Sequence, residues 1–485
     1  MIGLKDYENM DGFGLSTWEE VAELNKALAA GYDIPATSGG VSGSALRVES
    51  LESSLKVITF QMQHIKFWQK IPKLPAYSTV EEYNQLTSYG SDAGAFTPEG
   101  ELGEYDDAAY LRKVSLVKYI QTVRKVTHPL TLVRAAHGDV VGNEIRNGIM
   151  WMLGKVENSL YWGNSALGYA TNGVEWDGLN SMLNPWTNAQ PKIAVPSVSS
   201  YVDAKGDPLT EDILESAANQ IVENYGFPTD IFIGTRPLAD LAKVMFPKER
   251  IVVPYKEGQI GVPINTFASQ AGILAFNPDV FLRKRAHPAS STSAKAPLPP
   301  TVISALRAAA GAGFSGDWTK TNNGWGQYYY RCSAVNRYGE SAASAAVQSA
   351  AVIADTDYLT VLCNNNVGEA AASYHIDYLN IYRGVANGGL TDTLYLVHQI
   401  VAANRNNSGA TSWVDENVIC SNVHKVFIGE LTPQVISFKQ LAPMMKMDLA
   451  VIEPSIRWLQ LLYGVPIIYA PKKWTVIANI GEATV

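Results

Sequence analysis

The chain has 485 residues, of which 47% are hydrophobic and 17% are charged, and its formal net charge is −8. At about 100–200 residues per domain, this length predicts two to four domains. Charged residues make up about a quarter of an average soluble chain, so the low charged fraction indicates a surface that is largely covered by partners. The excess of acidic residues argues against a protein whose main task is to bind phosphate backbones.

The sequence predicts neither export nor a membrane span. Its N-terminus lacks the basic start and the apolar run that a secretory signal requires, so we expect no export by that route. The most apolar window, residues 458–470, is interrupted by glutamine, glycine and proline. Cys332, Cys363 and Cys420 lie far apart without metal-binding spacing, and we expect buried, inert thiols in a chain made in a reducing compartment.

The N-terminal region predicts a short helix followed by a tether. Ser16 and Glu19 have the spacing of a capping box, and apolar residues then recur at steps of three and four, which predicts a helix over 16–30. Residues 35–44 are too small and polar to pack, so they predict a flexible arm. We expect such an arm to dock on another body.

Residues 77–127 predict a long two-stranded excursion with a polar tip. Residues 88–104 are rich in glycine and acids, and β-branched residues with partial alternation follow over 114–123. An isolated hairpin is marginally stable in water, so a long projecting one normally rests on a neighbour. An ordinary hairpin that folds back on its own domain stays the alternative.

Residues 139–164 predict one long amphipathic helix. Asp139 has the position of its N-cap. The residues spaced to line the buried face are Ile145, Ile149, Met152, Val156 and Leu160, and those expected on the opposite face are Asn147, Lys155 and Glu157.

The next region has the mixed pattern of an α+β domain. Thr210 predicts the N-cap of a second helix with acids in its first turn, and Gly226 predicts its end. Residues 229–234 predict a short buried strand. Pro237, in a first-turn position, predicts a further helix over 238–246.

An all-β segment follows a proline- and serine-rich stretch at residues 288–300, which predicts a linker. Residues 330–341, which read YRCSAVNRYGES, resemble a strand and turn of a fibronectin type III or immunoglobulin-like sandwich. The segment is expected to run to about Asn417. A mixed pattern returns from Phe427, so we interpret the sandwich as an insertion into the first fold.

The search for catalytic motifs finds one formal match. Residues 311–316 fit the dinucleotide fingerprint G-x-G-x-x-G, but a polar loop follows them instead of a helix, so we interpret them as a glycine-rich loop of the β-domain. No Walker loop, H-E-x-x-H or G-x-S-x-G motif occurs in the sequence. The seven histidines are dispersed.

Two groups of charged residues are candidates for a binding or catalytic site. The basic run at residues 283–285 is expected to be solvated or to lie in an interface, with contact to nucleic-acid phosphates as the alternative. No catalytic, cofactor-binding or metal-binding residue is predicted, and we expect no enzyme. The acids of the excursion, which we expect to be solvated rather than catalytic, are Glu99, Glu101, Glu104, Asp106 and Asp107.

The C-terminal region carries the most specific likeness to a known family. Residues 427–435 (FIGELTPQV), 441–446 (LAPMMK) and 470–474 (APKKW) resemble the C-terminal part of the major capsid proteins of large contractile-tailed phages of the Twort-like group. The likeness extends upstream to residues 45–49 and 176–179 and covers most of the chain. It implies an α+β fold of the Hong Kong 97 capsid type.

The resemblance also implies a named part for each region. These are an N-terminal arm (1–50), a peripheral P-domain (51–208) with an extended E-loop (77–127) and a spine helix (139–164), an axial A-domain (209–290), the inserted immunoglobulin-like sandwich (297–417), and a C-terminal return to the A-domain and P-domain (427–485).

The function that the resemblance implies is assembly. The chain is expected to form hexamers and pentamers of an icosahedral shell around double-stranded phage DNA, with the E-loop and N-terminal arm crossing onto neighbouring capsomers and the insertion facing outward. The implied partners are portal, scaffold and cement proteins and, by weak non-specific contact, the packaged DNA, with no cofactor and no membrane. The implied location is the virion capsid, assembled in the host cytoplasm. Ala29, Ala30 and Gly31 mark a candidate site of maturation cleavage.

Two other classes stay open. An encapsulin-like nanocompartment shell has the same fold but carries enzyme cargo instead of a genome. A secreted adhesin or polysaccharide-active protein with a fibronectin-like module needs an export signal and a carboxylate pair or metal site, and the sequence offers neither pattern.

Overall fold

The computed structural model describes most of the chain from residue 57 onward. The described residues are 57–90, 96–102, 105–133, 138–167, 174–183, 200–249, 264–311, 313–364, 375–401 and 410–483, with the backbone alone for 245–249. The predicted helix at 16–30, the tether at 35–44 and the candidate cleavage site at 29–31 lie outside them. Residues 59–129 and 141–485 form one compact unit, and the contacts below lie within its described part.

In the part of the chain that the structure describes, every α-helix lies before residue 250, and strands dominate the rest. The helices are α1 (Phe67–Lys70), α2 (His128–Leu132), α3 (Val140–Trp162), α4 (Leu179–Leu183), α5 (Glu211–Glu223) and α6 (Thr235–Glu249). The strands are β1 (Lys73–Pro75), β2 (Val80–Ser88), β3 (Ala109–Leu116), β4 (Lys118–Thr127), β5 (Tyr201–Asp203), β6 (Asp230–Ile233), β7 (Thr266–Ser269), β8 (Gly272–Pro278), β9 (Thr301–Ala308), β10 (Tyr329–Asn336), β11 (Gly339–Glu340), β12 (Val347–Gln348), β13 (Tyr358–Asn364), β14 (Tyr378–Arg383), β15 (Tyr395–Ile400), β16 (Ala410–Asp415), β17 (His424–Gly429), β18 (Ile436–Asp448), β19 (Ser455–Ile468) and β20 (Trp474–Ile480).

The long helix α3 packs against a four-stranded sheet ordered β1-β18-β19-β4. Met152, Val156 and Leu160 of the helix share one apolar core with Phe438 and Leu462 of the sheet. The predicted helix over 139–164 is therefore confirmed within two residues at each end. Strand β4 pairs antiparallel with β19, so the last part of the predicted excursion belongs to this sheet and not to a hairpin.

The two predicted faces of α3 are partly wrong. Glu157, which we expect on the solvent face, is fully buried, whereas Ile149, which we expect on the buried face, is 36% exposed. The C-terminal half of α3 is covered by the sheet and also by the segment that carries Phe67 and Trp68. A helix enclosed on more than one side has no single apolar stripe, so the spacing of apolar residues cannot assign its faces.

A six-stranded sheet ordered β5-β20-β17-β6-β8-β7 forms a second layer, which α5 covers. Thr210 caps α5 as predicted, because its Oγ1 accepts a hydrogen bond from the Ile213 amide at 3.4 Å. All four residues of β6 are buried, which confirms the short strand predicted at 229–234. Helix α6 begins three residues earlier and ends three residues later than the predicted helix over 238–246.

The region from β9 to β16 is all-β, as the sequence predicts. One sheet has the order β11-β10-β14-β15, with β12 also paired to β10, and the other has the order β16-β13-β9. Side chains of both sheets, among them Cys332 and Leu359, meet in one apolar core. We call this pair of sheets the sandwich. Its immunoglobulin-like classification and its boundaries at 297 and 417 stay predictions.

The predicted linker follows the edge of the sandwich. Thr292 donates its amide hydrogen to the Glu340 carbonyl at 2.9 Å, and Ala343 donates to the Pro288 carbonyl at 3.0 Å. Glu340 lies in β11, the strand at one edge of its sheet. An edge strand offers unpaired backbone groups, and the proline-rich segment takes up part of them.

Candidate functional site

Strands β2 and β3 form a two-stranded ribbon that pairs with no third strand among the described residues. Its register runs from the pair Val80–Leu116 at the base to the pair Ser88–Ala109 near the tip. Beyond that pair, Phe96 is 100% exposed and Tyr105 is 97% exposed. Large apolar side chains are thus held away from the rest of the described chain, which is typical of an interaction surface. We call residues 80–116 the hairpin and residues 89–108 its tip.

Among the described residues of the hairpin, those nearer its base are anchored to the body. Tyr83 of β2 packs edge to face against Tyr469 with ring centroids 5.0 Å apart, and the Gln85 side chain donates a hydrogen bond to the Tyr469 carbonyl. In contrast, Tyr110 in the outer part of β3 is exposed. The alternative of a hairpin folded back on its own domain is therefore wrong for the outer part that the structure describes.

A second exposed apolar surface lies at the end of the β18–β19 hairpin. Met447, Leu449, Val451 and Ile452 are all exposed around the connection between the two strands. Val123, on the neighbouring strand β4 and in the same cross-strand row as Met447, is also exposed. Two surfaces with these properties are more than a chain that works as a monomer normally presents.

The sequence motifs for chemistry do not assemble into a site. Gly311 pairs with Phe314 in a tight turn after β9, and no helix follows, so the interpretation of 311–316 as a loop of the β-domain is confirmed. Glu99, Glu101, Asp106 and Asp107 are exposed on the tip, and Glu104 lies outside the described residues. The described part of the chain contains no group of three or more histidines, cysteines, aspartates or glutamates that could hold a metal ion.

The cysteines are buried in the structure, and a lysine of the basic run forms an ion pair. The three cysteines, Cys332, Cys363 and Cys420, are buried and form no disulfide, as predicted. Burial raises the pKa of the Cys420 thiol to about 12. Lys284 of the basic run donates from Nζ to a Glu482 carboxylate oxygen at 2.5 Å. None of the helices in the described part of the chain has the length and hydropathy needed to cross a membrane.

A buried carboxylate joins two parts of the body. Glu157 of α3 accepts hydrogen bonds from the backbone amides of Lys66, Phe67 and Trp68 at 2.8, 2.6 and 2.8 Å. The carboxylate therefore fixes the start of α1 against α3. Burial, followed by the nearby carboxyl of Asp279, raises the pKa of Glu157 to about 8, and the three amides oppose this shift only in part.

Raising the pH should weaken the fold through Glu157. Its pKa is about 8 in the folded state against an ordinary 4.5, so the contribution is fully present below about pH 4.5 and is lost as the pH rises to about 8. The loss is at most about 1.4 kcal/mol in the free energy of unfolding per pH unit. Glu157→Gln should flatten this dependence in urea titrations between about pH 5 and pH 8. Glu223→Gln, at an exposed position, should leave it unchanged, and an equal slope in both variants would contradict the assignment.

A buried ionic network lies inside the sandwich, close to the point where the chain returns to the body. Arg383 of β14 is fully buried, and its guanidinium donates to the Asp415 carboxylate at 2.5 Å and to the Asn417 side chain at 2.6 Å. Tyr330 donates a third hydrogen bond of this network to Asp415 at 2.7 Å. Burial is the largest single influence on the pKa of Arg383 and lowers it, but the attraction of Asp415 together with Tyr330, Tyr328 and Cys420 outweighs burial and raises the pKa.

Lys320 carries this network across to the six-stranded sheet. Its Nζ lies 3.1 Å from an Asp203 carboxylate oxygen on β5 and donates to the Asn417 carbonyl at 2.8 Å. Asn479 of β20 donates to Asp203 at 2.8 Å from the other side. The sandwich and the sheet are therefore joined by buried polar contacts and not by a flexible tether alone.

Sequence reasoning misses these buried charges. Glu157, Lys320 and Arg383 each lie in a segment whose pattern predicts solvent-facing or alternating residues. Their partners are far away in the sequence, so neither spacing nor composition signals the pairing. The one available signal is a basic residue at the end of a predicted strand, as with Arg383, and this is too common to be specific.

Most of the chain is similar in sequence to major capsid proteins of phages. The sequence model of the SU10 major capsid protein family matches residues 49–293, which is just over half of the chain. The major capsid protein of Staphylococcus phage K is 25% identical over 470 residues, covering 94% of this chain and 95% of that protein. The putative major capsid protein of Enterococcus phage phiEF24C is 26% identical over 470 residues, covering 94% of each.

Solved structures of similar backbone are also found. The capsid of Myoviridae phage XM1 has a TM-score of 0.42 and 8% sequence identity, covering 91% of this chain and 99% of that one. The encapsulin complex of Synechococcus elongatus PCC 7942 has a TM-score of 0.44 and 9% identity, covering 91% of this chain and 96% of that one.

Proposed function

Because the chain belongs to the SU10 major capsid protein family, we propose that it assembles as hexamers and pentamers into an icosahedral shell that encloses double-stranded phage DNA. The chain is a major capsid protein, a component of the virion capsid that it builds with further copies of itself. The observation that carries the proposal is the family match over 49–293, supported by relatives that align over 94% of the chain. Assembly in the host cytoplasm is part of the proposal.

The hairpin supplies the contact between subunits in this proposal. Its tip carries Phe96 and Tyr105 almost fully exposed, and its base is anchored through Tyr83. A ribbon fixed at one end and apolar at the other can cover a neighbouring subunit, where burial of the aromatic rings stabilises the contact. The hairpin is thus the E-loop of the fold, and the N-terminal arm at 1–50 is a second crossing segment.

The remaining parts follow from the two layers of the body. In the proposal, α3 is the spine helix of the P-domain, together with the sheet β1-β18-β19-β4. The six-stranded sheet with α5 and α6 forms the A-domain, near the centre of each capsomer. The exposed end of the β18–β19 hairpin is then a further contact of the P-domain with other subunits.

The sandwich faces outward in this arrangement. It is inserted between β8 and β17, two strands of the six-stranded sheet, and both of its ends return to that sheet. A compact excursion between neighbouring chain ends is accommodated most easily on a free surface. We assign it a role in decoration or in adhesion to the host surface.

The net charge of −8 fits a shell that contacts DNA weakly, because a tightly binding inner wall would hinder packaging and ejection. Portal, scaffold and cement proteins are the further partners of the proposal. An encapsulin-like compartment remains the second candidate on the ground of the shared fold. Nuclease-protected DNA in purified particles separates the two, because a cargo compartment holds protein instead.

The proposal is tested by sedimentation velocity and negative-stain imaging of the recombinant chain, alone and after co-expression with the other capsid genes of its phage. We expect closed shells, or rings of five and six subunits. A chain that stays a 52.7 kDa monomer under both conditions would contradict the proposal. A variant without the hairpin tip that assembles to the same extent as the wild-type chain would contradict the role of the hairpin but not the capsid function.

A further inference from the structure

A small cleft with a cationic lining lies where the sandwich meets the body. Its volume is about 80 Å³, and β15 of the sandwich forms one wall. The other walls come from the ends of α3 and α4 and from the chain before and within β17. Its basic lining residues are Arg283, Lys284, Arg285, His398, His424 and Lys425, and no aspartate or glutamate of the described chain lines it.

Lys425 is the most informative residue of the cleft. Its Nζ donates to the Asn180 side chain at 2.7 Å and lies 5.5 Å from the centre of the Trp162 ring. Within the described residues, no carboxylate pairs with this ammonium group. Burial lowers the pKa of Lys425 to about 8. An ammonium withdrawn from water without a counter-charge is costly, and the cost falls when the site takes up an anion.

His424 adds a second polar group without a partner. Its side chain is 94% buried, and its Nδ1 makes no hydrogen bond within the described part of the chain. Its other ring nitrogen, Nε2, lies 3.4 Å from Glu482. Burial, followed by the charge of Lys284, lowers the pKa of His424 and favours the neutral ring in the empty cleft. A bound anion opposes this shift, and the protonated imidazole would then donate from Nδ1, which satisfies this orphaned atom.

The neighbouring acid does not cancel the charge of the cleft. Glu482 contacts Lys284 at 2.5 Å, and Arg236 lies 3.9 Å from its other oxygen. These two cations compensate its single charge, so the charge of Lys425 is left over. The basic residues on either side of Lys284 add to the positive potential, because they lie in the same wall.

We propose that this cleft binds a tetrahedral oxyanion, phosphate or sulfate, through the ammonium of Lys425 and the imidazole of His424. About 10–15 Å³ of cavity volume measured in this way holds one water molecule, so a cleft of about 80 Å³ has room for a tetrahedral oxyanion. The oxyanion comes either from free inorganic phosphate or from a phosphodiester of nucleic acid. In both cases it bridges the body and β15, and it stabilises the folded state by binding to it selectively.

The direct test is acetylation of lysines in the purified full-length chain, followed residue by residue by mass spectrometry. The chain is treated in chloride and in phosphate of equal ionic strength. Phosphate at about ten times its dissociation constant should slow the modification of Lys425 about tenfold. Lys472, which is exposed elsewhere on the body, should react at the same rate in both solutions.

Thermal unfolding provides an independent reading. Relative to chloride, phosphate should raise the midpoint temperature of unfolding equally for the wild-type chain and for Lys472→Gln. The midpoint temperature of Lys425→Gln should be the same in both salts. A short DNA duplex forms the third arm. Protection of Lys425 by the duplex and not by phosphate would support the site with nucleic acid as its source.

Two outcomes overturn the proposal. One is that neither phosphate nor the duplex protects Lys425 more than Lys472. The other is that phosphate raises the midpoint of Lys425→Gln as much as that of the wild-type chain, because the stabilisation is then a general effect of the salt. The acetylation experiment decides the question even if the substituted chain fails to fold.

Discussion

Replacing residues 89–108 by a short glycine-rich turn is expected to abolish shell formation while the subunit stays folded. The tip carries Phe96 and Tyr105, whose rings contact nothing on their own chain in the described residues. Their removal costs the isolated subunit little, because no buried contact is lost. In the shell, however, each subunit loses the apolar area that it buries on a neighbour, and the loss is repeated at every equivalent contact.

The measurement is sedimentation velocity with negative-stain imaging, and circular dichroism reports whether the subunit is folded. A milder variant, with Phe96→Ser and Tyr105→Ser together, should reduce the yield of shells in the same direction. Leu390→Ser changes an exposed apolar residue of the sandwich and serves as the matched control, with an expected yield equal to that of the wild-type chain. Shells of normal yield from the tip-deleted chain would remove the hairpin from the assembly contacts.

Arg383→Met is expected to destabilise the subunit by about 3–5 kcal/mol, because it leaves the Asp415 carboxylate buried without its counter-charge. The guanidinium also faces the rings of Trp318 and Tyr328 at 5.4 and 5.1 Å. Unfolding in urea, followed by tryptophan fluorescence, measures the loss. The double variant with Asp415→Asn should lose less than the sum of the two single losses, because the buried charge is then removed as well.

Arg112→Met is the control for this experiment. Arg112 pairs with Glu82 on the surface of the hairpin, where both side chains are largely in water. Its loss is expected to cost less than about 1 kcal/mol. A destabilisation of Arg383→Met no larger than that of Arg112→Met would show that the buried network does not stabilise the folded subunit.

Local signals in the sequence were sufficient for the regular elements of the body. The caps and spacing that predict α3 and the helix after Thr210 act within a few residues, and the buried strand β6 is a short apolar run. The α+β class is confirmed by the helices and sheets of the structure, and the capsid family by the match over residues 49–293. The Hong Kong 97 type of fold stays a prediction. The boundaries of the individual domains and the immunoglobulin-like class of the insertion stay predictions.

The misassigned parts depend on partners that are distant in the sequence. The sequence predicts β4 as part of the hairpin, because its true partner β19 comes much later in the chain and the alternation of residues is the same in either pairing. Glu157 was placed in solvent because its three hydrogen-bond donors belong to the backbone near α1, which has no sequence signature. The cleft at Lys425 also depends on residues that are distant in the sequence, because its walls come from five separate segments.

The central claim is that the hairpin tip lies on a neighbouring subunit of a closed shell. A cryo-electron microscopy map of purified particles tests it most directly. We predict continuous density for residues 89–108 across the adjacent subunit, with Phe96 buried against it, and density for the sandwich on the outer surface. A tip folded onto its own subunit, or exposed to solvent without contact in the closed shell, would contradict the account.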